Sequence, residues 1–173
     1  MAITGIPQKV VGYNIYNEGE KLMGRQAETE LPNFEAMTTT LSGAGILGEM
    51  ESPNTGHFGS MELPIAFRTL TEEAARLQEP RAHTLTLRAD QDSYDVTGGV
   101  EKHRALKIVV RGFPKAFESG KLNSGNPTDT KVTLEISYIK IEHDGTTLIE
   151  LDKFNYIFIV NGKDYLQEVR NNI

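Results

Sequence analysis

The clearest hydrophobic pattern lies in residues 131–161. Val132, Leu134, Ile136 and Tyr138 alternate with Lys131, Thr133, Glu135 and Ser137, the period of two that marks a strand with one buried and one wet face. Ile139 and Ile141 reverse the phase, which predicts a bulge or a stretch covered on both sides. Asp144-Gly145 follows, and Asp-Gly between β-branched segments predicts a type I′ hairpin, because that turn needs positive φ at both central residues. Residues 154–160 (Phe-Asn-Tyr-Ile-Phe-Ile-Val) are apolar at both parities and are expected to form a strand that needs cover above and below. A chain this small struggles to supply both covers, so a neighbouring copy is expected to provide one.

Elsewhere the pattern is shorter-ranged. Residues 9–17 read as a strand with Tyr13 and Ile15 inward, ended by the turn Asn17-Glu18-Gly19-Glu20. Residues 20–31 alternate weakly and predict a strand with one face in water, stopped by Pro32, and 34–41 predict its threonine-rich return. Residues 42–60 form the longest irregular candidate, with Gly43, Gly45, Gly48, Gly56 and Gly59 and the turn pair Pro53-Asn54. Yet Ile46, Leu47, Met50 and Phe58 within it are apolar. Two readings stand side by side: a mobile surface loop, or an arm that orders against a partner and buries these side chains only there. Residues 60–68 alternate as a short strand, with Pro64 pushing it towards an edge. Thr69 and Glu72 have capping-box spacing, Pro80 stops the run, and Leu70, Ala74 and Leu77 make a buried stripe, so a helix of about two and a half turns is predicted. Residues 81–88 and 100–111 are strands, with Leu85, Leu87, Leu106, Ile108 and Val110 inward; 90–93 and 97–99 carry turn chemistry. Residues 113–117 leave the second of these strands, and 120–129 are a polar linker. Residues 165–173 are a short tail with one or two helical turns carrying Leu166 and Val169.

The inventory is about eight strands and one short helix in a single domain, residues 1–173. The fold class is mainly β: two packed antiparallel sheets forming a barrel or sandwich with one flanking α-helix. At 173 residues the chain is long enough to bury roughly 70% of its unfolded surface. Its net charge of −6 argues against gripping nucleic-acid phosphates. Without cysteine there is no disulfide framework, thiolate metal site or thiol nucleophile. The first seven residues lack a basic region followed by an apolar core, and no apolar run approaches the ~20 residues that span a bilayer, so a soluble, cytoplasmic product is expected.

Catalytic chemistry finds little support. His57, His83, His103 and His143 are scattered, with no second histidine at ligand spacing. Asp90, Asp92 and Asp95 lack the turn glycine and closing glutamate of a calcium loop. The glycines of 42–60 do not have phosphate-loop spacing, and there is no Gly-x-Ser-x-Gly elbow. No catalytic residue, metal ligand or cofactor is assigned. The inter-chain contact candidates are Ile46, Leu47, Met50, Phe58, Phe154, Tyr156 and Phe158. The alternatives are a small-ligand-binding β-barrel, which predicts a stable monomer with an apolar cavity, and a hydrolase with a triad assembled across the fold.

Several ordered stretches carry a resemblance: Asn14-Ile15-Tyr16-Asn17-Glu18-Gly19, Leu31-Pro32, Gly43-Ala44-Gly45 and Val110-Arg111-Gly112. Tyr138, Asp144-Gly145, Leu148, Glu150, Asp152, Asn155, Val160-Asn161-Gly162, Asp164, Leu166 and Arg170 follow in the densest stretch. In this order and spacing the chain resembles the major tail tube proteins of contractile-tailed bacteriophages and of phage-tail-like bacteriocins, over nearly its whole length. The helix region and residues 90–99 depart from that family's pattern.

The resemblance implies a fold similar to type VI secretion tubes and a structural, non-enzymatic role. Hexameric rings of such proteins stack into the tube inside a contractile sheath, and strands of neighbouring copies join into one continuous barrel. The tube is driven through the host envelope and, in a phage, conducts DNA without sequence-specific binding. The implied partners are sister copies, the sheath protein, and tape measure, baseplate and terminator proteins. The implied place is a virion or bacteriocin tail assembled in the bacterial cytoplasm. The glycine-rich loop becomes the arm onto an adjacent copy. An acidic lumen keeps DNA from sticking, and Glu28, Glu30, Glu35 and Glu135 are its candidates. Lys102, Arg104 and Lys107 are candidates for contact with an acidic sheath surface.

Overall fold

The computed structural model describes residues 5–173; residues 1–4, part of the segment judged not to be a signal peptide, lie outside the described residues. The strands are β1 (Gly5–Asn17), β2 (Glu20–Lys21), β3 (Ala36–Ser42), β4 (Glu49–Phe58) and β5 (Glu62–Phe67), then, after helix α1 (Glu72–Arg76), β6 (His83–Asp95), β7 (Val100–Glu118), β8 (Thr130–His143), β9 (Thr146–Asp152), β10 (Ile157–Val160) and β11 (Lys163–Asp164). Helix α2 (Gln167–Asn172) closes the chain. One antiparallel sheet runs β11-β10-β9-β8-β7-β6-β1-β2, with β5 also on β8; β3 and β4 form a separate two-stranded sheet. Among the described residues the large sheet is open at both ends, so of the two expected forms the closed barrel is not found.

β8 organises this architecture. Its first half pairs with β5, from Glu62↔Glu135 to Phe67↔Thr130, and its second half with β9, from Tyr138↔Asp152 to His143↔Thr146. Val132, Leu134 and Ile136 are buried, and then Ile139 is, so the inward parity flips between them. The expected bulge accounts for it: Gly112 of β7 faces Ile136 and Arg111 faces Tyr138, leaving Ser137 as the extra residue, its hydroxyl donating to the Arg111 carbonyl at 3.2 Å. Gly112 is required there, since a Cβ would lie 2.7 Å from the Glu135 carbonyl oxygen. The flip lets both halves of β8 feed one core: Leu63, Ile65 and Phe67 of β5 meet Leu85, Val110 and Leu151 in the same buried cluster, and Ala74 and Leu77 of the α1 segment join it. Asp144 (φ 48) and Gly145 (φ 79) form the predicted type I′ turn between β8 and β9.

Several expectations are corrected. Residues 22–31 are not a strand. Their backbone instead lines the edge of β5, with Gln26 N–H donating to the Ala66 carbonyl (2.7 Å) and Arg68 N–H to that of Gly24 (2.8 Å). Within the irregular candidate 42–60, residues 49–58 are β4, paired with β3 from Ser42↔Glu49 to Ala36↔Phe58. Beyond Phe58, which packs against the core at its base, neither face of this hairpin is covered, so no alternation marks it. Residues 90–93 continue β6 rather than turn; the turn falls at 96–99, where the Asp95 carboxylate accepts the N–H groups of Thr97 (3.0 Å) and Gly98 (3.2 Å). β7 runs on to Glu118, accommodating the donorless Pro114 at a second register shift. The helix is capped by Thr71, not Thr69, its hydroxyl accepting from Ala74 N–H at 3.3 Å, and Leu70 is exposed. The apolar run 154–160 is a strand only from Ile157. Asp152 accepts the N–H groups of Phe154 and Asn155 (3.0 and 3.1 Å), and Tyr156 (φ 52) completes a turn that leaves Phe154 and Tyr156 exposed.

Candidate functional site

Three unfinished surfaces stand out. The first is the β3–β4 arm. β3 has seven residues, a length of about 23 Å at ~3.3 Å per residue. Its base is clamped by four aromatic rings: Phe34 to Phe58 (5.6 Å, edge-on), Phe58 to Phe158 (5.2 Å, edge-on) and Phe158 to Tyr165 (6.1 Å, tilted). Gly59 N–H donates to the Glu35 carbonyl (2.9 Å) and Lys153 Nζ to that of Gly59 (2.8 Å). Gly56 packs directly on Leu166, whose own N–H is held by Asp164 at 3.0 Å. Arg170 bonds Asp164 and the Tyr156 carbonyl (2.7 Å); its guanidinium holds the Asp164 carboxyl below its ordinary range. Thus Phe58 and Phe158, expected at inter-chain contacts, are fastened inside the chain, and the clamp uses residues far apart in sequence. The tip is different. Leu47 is fully exposed (108%), Met50 is 53% exposed, and Leu41 and Ile46 are 39% each.

The second surface is an apolar mouth at one end of the core. Val10, Leu87, Ala89, Leu106 and Ile108 line a cavity of about 290 Å³, with residues 27–31 as its lip. The lip is held by Tyr13, whose hydroxyl donates to the Ala27 carbonyl and bonds the Thr29 hydroxyl, both at 2.9 Å, and whose ring lies under Arg25 at 3.9 Å.

The third is the free margin of β1. β2 pairs only with Tyr16 and Asn17, so residues 5–14 hydrogen-bond to β6 on one side and to no strand on the other among the described residues. Ile6, Val10 and Val11 are at least half exposed along it. An unpaired edge with apolar side chains is a template for another strand.

The charged candidates fall in several places. Glu135 accepts from Ser60 Oγ (2.7 Å), Met61 N–H (3.2 Å) and Lys115 Nζ (3.1 Å), and Lys115 also bonds Glu62. Burial works to raise the Glu135 carboxyl, and the donors outweigh it, leaving it below its ordinary value. Glu30 borders a hollow with Ser60, Glu62 and Lys131 near that site. Glu28 sits on the lip of the mouth, and Glu35 at the base of the arm, where its carbonyl accepts the Gly59 N–H. Lys102 is paired with Asp95 (2.5 Å) and Lys107 with Glu142 (3.1 Å), whereas Arg104 makes no ion pair among the described residues. Lys140 also bonds Glu142 (2.8 Å), and Arg111 lies 5.6 Å from the Tyr138 ring centre. Burial, then the hydrogen bond to Glu150 (3.0 Å), pushes the Tyr138 hydroxyl up to about 12. The wet sheet face is thus an interleaved ladder of cations, carboxylates and tyrosines. The opposed parities of β7 and β8 carried that signal, which sequence reasoning missed.

Among the described residues no cluster of His, Asp or Glu is arranged to hold a metal, and no helix is long and apolar enough to cross a membrane. A family model described as phage tail tube protein FII matches residues 7–173. The tail tube protein of Escherichia phage P2 is 36% identical over 69 residues, 40% of this chain and 40% of that one, so the match spans under half of that relative. The major tail tube protein of Serratia phage KSP20 is 22% identical over 92% of this chain and 91% of its own. Among solved structures, the sheath/tube terminator of an extracellular contractile injection system in its extended state is similar in fold. Its TM-score is 0.53 at 12% identity, over 79% of this chain and 96% of that one.

Proposed function

The chain belongs to the phage tail tube protein FII family, and on that premise we propose that copies of it close into hexameric rings, which stack into the inner tube of a contractile tail. Contraction of the surrounding sheath drives the tube through the host envelope, and the tube serves as a conduit. The role is mechanical, so no bond is made or broken by the chain. The observation that carries this reading is the open sheet: ten residues of β1 without a strand on their outer side among the described residues, bearing Ile6, Val10 and Val11 in water. Pairing that margin with a strand of the next copy satisfies its backbone groups and covers its side chains. Repeated around a ring, it joins the sheets of successive copies into one barrel. The partners are sister copies, the sheath protein, and tape measure, baseplate and terminator proteins; DNA passes without base-specific contact. Assembly takes place in the host cytoplasm and the product is a virion or bacteriocin tail.

Sedimentation velocity over a concentration series, with electron microscopy of the same samples, tests the reading. Rings or tubes of uniform width are expected. A monodisperse monomer at every concentration refutes it and favours the small-ligand-binding barrel, whose one supporting feature is the apolar mouth.

A further inference from the structure

We propose that the tip of the β3–β4 arm of one copy plugs the apolar mouth of a second copy. Leu47 enters beside Val10 and Leu106, and Glu49 and Glu51 face Arg104. The inference rests on the tube reading and goes beyond it by naming both partners of one contact.

Two surfaces of the same chain are unfinished in complementary ways. The tip exposes Leu47, Met50, Ile46 and Leu41, with Leu41 and Met50 opposite each other across the strands, on a hairpin whose other end is clamped. The mouth opens onto the interior side of β6 and β7, where the core runs out of side chains to fill it. Its roughly 290 Å³ is about twice the ~150 Å³ of a dry cavity that takes up a benzene-sized guest, enough for one or two aliphatic side chains. In this chain the tip remains exposed, so it does not occupy its own mouth.

Charge adds a second argument. Residues 36–58 contain Glu49 and Glu51 and no lysine or arginine. Neither glutamate has an ion-pair partner among the described residues; of the cations near the mouth Lys9, Lys102 and Lys107 are paired, Arg104 and Arg88 are not, and Arg88 takes the outward parity of β6, opposite to Leu87. Arg104 precedes Leu106 by two residues in β7 and lines the hollow that adjoins the mouth at Val10 and Leu106. The arm is anchored at β10, and the mouth lies on β7, β6 and β1, further along the strand order. A contact between unlike surfaces is heterologous: it repeats from copy to copy and either closes a ring or continues as a stack.

The absence of native cysteine makes a direct test clean. A chain carrying Leu47→Cys and Val10→Cys together is assembled, oxidised and run on a denaturing gel. A ladder of covalent multimers is expected, and the two single variants mixed are expected to stop at dimers. Separately, Arg104→Glu is expected to lose assembly at concentrations where the parent assembles, and Glu49→Lys with Glu51→Lys in that same chain to restore it. Tubes that form while the double-cysteine chain stays monomeric, or that tolerate Arg104→Glu, overturn the docking and leave the tube reading standing. A parent protein that never assembles overturns both.

Discussion

Replacing Phe58 by alanine tests whether the arm is held by its aromatic base. Phe58 sits between Phe34 and Phe158 with ring centres 5.6 and 5.2 Å away, both edge-on. Truncating a fully buried phenylalanine costs about 3–5 kcal/mol. Phe58 is half-buried, so roughly half of that, about 1.5–2.5 kcal/mol, is the expected loss. The two ring contacts, about 0.5–1.5 kcal/mol each, are contained in that figure. The arm forms its own two-stranded sheet, so the loss falls on its local opening rather than on the large sheet. Amide hydrogen exchange read peptide by peptide on dilute protein measures this. Exchange in β3 and β4 is expected to accelerate about 10- to 60-fold, a factor of ten for each ~1.4 kcal/mol, while β8 amides keep their rates. Unchanged exchange in the arm, or equal acceleration in β8, refutes the clamp.

Gly112→Ala places a methyl 2.7 Å from the Glu135 carbonyl oxygen in the bulge that flips β8. It is expected to cost about 1–3 kcal/mol and lower Tm by several degrees in calorimetry; an unchanged Tm contradicts the crowding argument. Acid stability follows from the paired carboxylates. Asp95, Asp164, Glu135 and Glu142 all titrate below their ordinary values of 3.8 or 4.5, held down by Lys102, by Arg170, by Ser60 and Lys115 against burial, and by Lys140 and Lys107 respectively. Depressed folded-state values add stability at and above those ordinary values and lose it as pH falls through the lower ones. Urea midpoints are therefore expected to hold from pH 7 to 5 and decline below about 4.5, and a midpoint rising on acidification contradicts the assignment. Leu47→Asp is expected to leave the Tm of the dilute protein unchanged, because the side chain is fully exposed, and to prevent assembly seen by light scattering. A fall in Tm contradicts the exposed tip.

Much of the β8 region was legible because its chemistry is local. Asp144-Gly145 marks a turn that needs positive φ, and the parity change from Ile136 to Ile139 records the bulge directly. The arm's return strand was not legible, since a hairpin exposed on both faces leaves no alternation to read. Asp90 and Asp92 suggested a turn, yet Asp92 is buried in β6 and accepts the Lys9 N–H at 3.0 Å, a partner 83 residues away. The apolar residues 154–160 suggested one strand, and Asp152 cut it short by accepting two backbone N–H groups. Of the contact candidates, Ile46, Leu47, Met50, Phe154 and Tyr156 are surface residues, while Phe58 and Phe158 serve the clamp. Hydrophobicity alone does not distinguish a side chain that anchors an arm from one that the arm presents.

The most direct test of the central claim is a cryo-electron microscopy map of the assembled protein resolved to individual strands. The account predicts that residues 5–14 hydrogen-bond on their outer side to a strand of the adjacent copy, with Leu47 buried against a neighbour. A map in which the outer edge of β1 faces solvent in every copy contradicts it.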